Sequence, residues 1–290
     1  MLKNLLICTD TSEASDRMVE CVKDLRRVGS RQALLTHVLN IRDVGGLHLQ
    51  LKRLALPRLE AQQKLLTEAG FETSIEFPLG YPAQEINRLA QERSSNMIVI
   101  GSHGESLAKE MVLGSTAAAV LQSARVIVLL VRLEIVEANG GKCCRAVCAN
   151  FFKHILHPTD FSDTAERAFQ YLEHIVSQTK CGVTLLHVQD KAKIESHLKG
   201  RLEEFNRIDQ ERLERRKEHL LKAGAASVDI VIPYGSPTAA ILKQARCEHH
   251  SLILMGTQGR GFIQELFLGS VSHNVARHAR LPVLFVPAVR

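Results

Sequence analysis

Two seventeen-residue stretches hold residue types at a spacing that suits an anion. GTQGRGFIQELFLGSVS (256–272) reads Gly256-x2-Gly259-x9-Gly269-Ser270. GSHGESLAKEMVLGSTA (101–117) reads Gly101-x2-Gly104-x9-Gly114-Ser115, the same spacing. A glycine at the end of a strand lets the chain turn sharply and approach a ligand. A second glycine three residues on leaves backbone amides free to face phosphate oxygens. The Gly-Ser pair then opens a helix, whose amino end favours negative charge. The hydroxyls of Ser270 and Ser272 add donors. Each stretch has a counterpart upstream, an aspartate in a short loop: LLICTDTS (5–12) with Asp10 and ILHPTDFS (155–162) with Asp160. Glycine pairs after strands also serve as plain turns, and such an aspartate or a following serine is often a helix cap. Two copies of the same long spacing, each with its aspartate loop, favour phosphate binding. Neither is a Walker loop, because G-x-x-x-x-G-K-[ST] is absent, and the spacing differs from G-x-G-x-x-G.

The elements that must position these residues also come twice. Asp10 and Asp160 are 150 residues apart, as are His37 and His187 in LLTHV and TLLHV. Gly80 and Gly235, in PLGYP and PYGSP, are 155 apart, as are the paired motif glycines. The second copy therefore carries a net five-residue insertion between Val188 and Pro233, in a charged stretch where extra surface length costs little. Each copy alternates strands and helices. LLICT, ALLTHV, TSIEF, MIVIG and VIVLLV are the strands of the first; ILHP, GVTLLHV, SVDIVIP, SLILMG and PVLFVP those of the second. Near-continuous apolar strands between helices predict parallel sheets covered on both faces. Ligands of such sheets sit beyond the carboxyl ends of the strands, where strand order reverses. If the first and fourth strands are neighbours, the Asp160 loop lies beside the glycine turn, placed for a nucleoside or for a metal on its phosphates. The expected domains are 1–135 and 153–290, with 136–152, which includes Asn139-Gly140-Gly141, as linker.

Composition narrows the classes. The formal charge is +6, and residues 142–290 carry all of it. The alternating acids and bases of 199–222 read as a solvated helix face. No basic run with interleaved aromatics appears, so nucleic acid is not an expected partner. No apolar run reaches the length of a membrane helix. The amino terminus reads as a strand and not a signal peptide, so the expected location is cytoplasmic. The seven cysteines show no disulfide-like spacing. Cys8 and Cys21 read as packed thiols. Cys143, Cys144 and Cys148 lack a nearby fourth ligand for a zinc site.

The stretches HPTDFS, LLHV, YGSP, LILMGTQGRGFIQELFLGSVS and LPVLFVP resemble the universal stress protein family in its tandem form, over nearly the whole chain. The resemblance implies two Rossmann-like α/β domains of the adenine nucleotide α-hydrolase type, each a five-stranded parallel sheet in order 3-2-1-4-5. It implies stress-linked regulation by binding ATP or AMP, with at most slow hydrolysis, and Mg2+ as a possible companion of the phosphates. The residues it implies in the second copy are Pro158, Asp160, Val188, Met255, Gly256, Gly259, Gly269, Ser270, Val271 and Ser272, with Arg260 facing an anion. The first copy keeps Asp10, Val38, Gly101, Gly104, Gly114 and Ser115. It has Cys8 in place of Pro158, Glu105 in place of Arg260 and Ala117 in place of Ser272, so weaker nucleotide binding is expected there.

No catalytic set stands out. His103, His273 and His278 read as helix-surface histidines, and neither HExxH nor G-x-S-x-G is present. A binding or sensing protein is favoured over a slow ATPase or adenylyl-transferring enzyme, and over an interaction module without ligand. RVIVLLVRL (125–133) and LPVLFVPAV (281–289) are strongly apolar and fall at sheet edges in the implied order. Exposed apolar edges are normally covered. Intramolecular pairing of the two fifth strands is therefore expected, and the resemblance, whose single-domain members dimerise this way, also allows a homodimer.

Overall fold

The computed structural model describes residues 1–45, 47–102, 113–138, 141–146, 150–192, 202–259 and 268–288. For 43–44, 134–138, 141–146, 202–203 and 205 it describes the main chain alone. The chain forms two compact units, Met1–Ala149 and Asn150–Arg290.

The first unit's strands are Asn4–Cys8, Gln32–Thr36, Glu72–Glu76, Met97–Gly101 and Ile127–Val131. All pair in parallel, in spatial order three, two, one, four, five. The second unit repeats the order with His154–Pro158, Gly182–Leu186, Val228–Val231, Leu252–Gly256 and Val283–Val286. The inner strands are buried at nearly every position in both units, as a sheet covered on both faces requires. In the first unit, helix Glu13–Val22 packs on His48–Glu68, and Pro82–Glu92 on Ser115–Ser123. In the second, Asp163–Thr179 packs on Leu202–Ala223, and Pro237–Gln244 on Ser270–His278. This pairing is the signature of winding that reverses at the first strand. It leaves a crevice between the carboxyl ends of strands one and four.

Each first helix is tied to its unit's long helix by an ion pair: Asp16 to Arg58 in the first copy, at 2.8 Å, and Glu166 to Arg216 in the second.

Three sequence expectations change. The stretch read as linker, 136–152, holds most of an antiparallel hairpin, Leu133–Ala138 with Gly141–Ala146, and belongs to the first unit as far as Ala149. The turn Asn139-Gly140 lies outside the described residues. The charged helix of the second copy is not simply a solvated face, because Leu213 and Leu220 are fully buried. Cys21, read as a packed thiol, is disulfide-bonded. Cys8 is a free buried thiol, whose pKa desolvation raises. Cys148 lies outside the described residues, and the side chains of Cys143 and Cys144 outside the described side chains.

Candidate functional site

The site of the second unit starts at a strained turn. The first strand ends at Pro158, and the Thr159 amide still donates to the carbonyl of Leu186 on strand two. Phe161 then takes a left-handed backbone, φ +58°, unusual for a residue with a side chain. Its ring lies 4.8 Å from that of His187, with the Arg212 and Arg216 guanidiniums over it at 5.2 and 4.9 Å. Asp160 Oδ1 accepts from the Ser162 amide (3.1 Å) and hydroxyl (2.6 Å). Ser162 in turn caps helix Asp163–Thr179 by accepting from the Ala165 amide. Asp160 is thereby fixed through one oxygen, with Oδ2 directed at the glycine turn. A Cβ on Gly259 would lie 2.5 Å from that oxygen, so glycine is what lets the two loops approach.

The fourth strand ends at Gly256, which serves helix packing: a Cβ there would lie 2.7 Å from Thr164 Cγ2 and 3.2 Å from the Thr164 backbone. The Gly269 amide donates to the Thr257 carbonyl at 2.7 Å, which pins the start of helix Ser270–His278 beside the turn. Ser270 is exposed at that amino end. Ser272 is buried, and its hydroxyl donates to the Gly256 carbonyl at 3.0 Å.

These residues line one cavity of about 750 Å³, a size suited to a small-molecule ligand. Pro158, Asp160, Val188, Met255, Gly256, Gly259, Gly269, Ser270, Val271 and Ser272 all face it. Arg260 lies outside the described residues. Sequence reasoning missed Asp190, Asp209, Arg212 and Gln258, which also line it. A signal for Asp209 was present: Leu213 and Leu220, seven residues apart, mark one face of the charged helix, and Asp209 lies one turn before Leu213. His187 sits in the wall. Its Nδ1–H donates to the Thr159 carbonyl at 2.8 Å, and Nε2 lies 3.2 Å from Asp209 Oδ2. Nδ1 thus anchors the ring to the first loop, while Nε2 faces the Asp209 carboxylate. His278 bonds the Asn274 carbonyl on the helix surface.

The first unit repeats the turn with differences. Thr11 is left-handed at φ +62°, and the His37 ring reaches the Thr9 carbonyl at 3.0 Å. Asp10 Oδ1 accepts from the Ser12 amide and from the hydroxyls of both Ser12 and Ser15. Ser15 occupies the place of Ala165, which lines the cavity in the other copy. Gly101 ends the fourth strand, Val38 is half-buried after the second, and the Gly114 amide donates to Ser102, matching Gly269 on Thr257. Ser115 is exposed at the start of its helix. His103, Gly104 and Glu105 lie outside the described residues.

Comparison with known proteins agrees with this architecture. A family model described as the universal stress protein family matches residues 1–132 and 151–287. A universal stress protein of Methanocaldococcus jannaschii is 34% identical over 154 residues, 47% of this chain and 94% of that protein. One from Bacillus subtilis is 33% identical over 148 residues, 47% of this chain and 99% of that protein. The crystal structure of a universal stress protein from Archaeoglobus fulgidus superposes with a TM-score of 0.75 at 25% identity, covering 99% of this chain and 98% of that one.

Proposed function

Since the chain belongs to the universal stress protein family, we propose that it is a regulatory protein of the stress response whose second unit binds an adenine nucleotide, ATP or AMP. The observation that carries the reading is the 750 Å³ cavity between Asp160 and the Gly259–Ser270 turn. Phosphate groups fit the glycine side, where the amino end of helix Ser270–His278 supplies amides and a favourable dipole. The carboxylates of Asp160, Asp190 and Asp209 suit ribose hydroxyls, which donate to them. They also make Mg2+ a natural counter-ion for a triphosphate. Arg260, next to Gly259, is assigned the phosphates as well. The first unit is assigned a weaker site of the same kind, because two serine hydroxyls already occupy one oxygen of Asp10.

Binding is favoured over catalysis because the groups lining the cavity already serve the fold: His187 is anchored through Nδ1 to the Thr159 carbonyl, and Asp160 through Oδ1 to Ser162. The alternative, a slow ATPase or adenylyl-transferring enzyme, is separated by a steady-state phosphate-release assay. Native mass spectrometry of protein purified without added nucleotide, followed by calorimetric titration with ATP and AMP, tests the assignment. A ligand-free protein that takes up neither nucleotide at millimolar concentration would overturn it.

We also assign the two fifth strands to each other as an intramolecular pair. Each is the last strand of its own unit's sheet and strongly apolar. A linked partner has a high effective concentration. Leu130→Lys should separate the halves or scramble the oligomer. A compact particle unchanged in small-angle scattering would contradict the pairing.

A further inference from the structure

At the amino ends of the second unit's strands, opposite the cavity, three histidines converge. His154 opens the first strand, and His249 and His250 precede the fourth. The two strands start in register, Ile155 beside Leu252. Ser251 fastens them: its amide donates to the His154 carbonyl at 2.9 Å, and its hydroxyl oxygen accepts from the His154 amide at 3.0 Å. The rings of His154 and His249 are 4.8 Å apart between centroids, those of His154 and His250 5.2 Å, and those of His249 and His250 4.0 Å. One nitrogen from each lies within 4.8 Å of the other two. Gly182 on the neighbouring strand makes the room, since a Cβ there would sit 2.5 Å from His154 Nδ1.

We propose that His154, His249 and His250 bind a divalent transition cation of the zinc class. Imidazole nitrogens suit such ions, and three of them with a water in the fourth position is an established zinc geometry. The ring of His250 is already oriented. Its Nδ1–H donates to the Gln244 carbonyl at 3.1 Å, which leaves Nε2 as the lone-pair nitrogen. That nitrogen now takes the Thr184 hydroxyl at 3.0 Å, and His154 Nε2 lies 2.9 Å from the same oxygen. That hydroxyl can donate to His250 Nε2 and accept from a His154 Nε2–H, so it bridges two of the rings, whereas a cation takes a lone pair from all three. A tetrahedral site needs nitrogens about 3.4 Å apart, so the rings must close by roughly 1 Å. His249 is exposed and can swing inward. The exposed Asp229 pairs with Thr184 on the adjoining strand and adds a carboxylate beside the cluster.

The test is a zinc titration of the chelator-stripped full chain, followed by competition with a chromophoric chelator and by imidazole 15N shifts. The wild type should take up one equivalent with shifts at these three rings. His249→Ala, a surface change that leaves the fold alone, should weaken uptake at least tenfold, and the His154→Ala/His249→Ala pair should abolish it. ATP titrations of the same variants should match the wild type. Zinc uptake unchanged in the double variant, or held by the free thiols with no imidazole shift, would overturn the proposal. So would no uptake by the wild type.

Discussion

Gly259 and Asp160 form a matched pair, and their contact supplies a sharp prediction. Gly259→Val puts its Cβ 2.5 Å from the Asp160 carboxylate and its methyls toward the phosphate side. ATP affinity should fall at least tenfold while the circular dichroism spectrum stays unchanged; equal affinity by calorimetry would remove the site from this turn. The aspartate and glycines were legible in sequence because their types and spacing recur. The left-handed Phe161 that aims Asp160 was not, since its strain is offset by His187, Arg212 and Arg216 from distant segments. The bond from Ser272 to the Gly256 carbonyl was not legible either, because a hydroxyl's single proton goes to whichever acceptor the fold places nearest. His157 makes a second prediction. It is fully buried in the first strand, donates to the Leu254 carbonyl at 2.8 Å, and is pushed down to about 4 by desolvation. In the unfolded chain it titrates near 6.5. The unfolded state thus binds the extra proton, and stability, full above about pH 6.5, falls by about 3 kcal/mol as pH drops toward 4. His154 and His250 shift in the same direction and steepen the loss. His157→Leu should make urea-derived stability less pH-dependent over that window; an unchanged slope would show that His157 does not titrate so.

Elements were read best where one pattern decided them. The apolar runs in Gly182–Leu186 and Leu252–Gly256 leave little choice but buried parallel strands. Helix Leu202–Ala223 was half read: its charges are visible at a glance, but which of them turn inward depends on packing against Asp163–Thr179. The hairpin Leu133–Ala138/Gly141–Ala146 was missed because an Asn-Gly signal fits both a hairpin turn and a linker. The three-histidine cluster was invisible for a different reason. His154 and His250 are nearly a hundred residues apart, and only the adjacency of strands one and four joins them. Gly256 tests how tightly strand and helix meet. Gly256→Ala must push the amino end of helix Asp163–Thr179 away from the sheet, because the clash includes Thr164 backbone. Such overpacking costs about 1–3 kcal/mol, so the urea midpoint should fall clearly. A midpoint within error of wild type would mean the helix has slack there.

At the scale of the molecule, duplication was the most legible feature, because equal offsets between motif pairs need no structural knowledge. The divergence of the copies was legible only in part: Cys8 for Pro158 is visible, while the capture of Asp10 by Ser15 required the fold. Calorimetry of the whole chain should therefore find one tight ATP site and a second at least tenfold weaker, and Gly259→Val should remove the tight one alone. Two equal sites would contradict the asymmetry. The strand His154–Pro158 carries a further consequence. It begins in the histidine cluster and ends in the cavity wall, about 13 Å away at 3.3 Å per residue. Ile155, Leu156 and His157 between them are fully buried and held between strands on either side. If this buried strand keeps a single packing arrangement, a ligand has no second state to select, and coupling between sites requires such a state. Zinc at one end and ATP at the other should obey independent isotherms. Saturating either should leave the other's dissociation constant within about twofold, and a larger mutual effect would reveal a second arrangement of the strand.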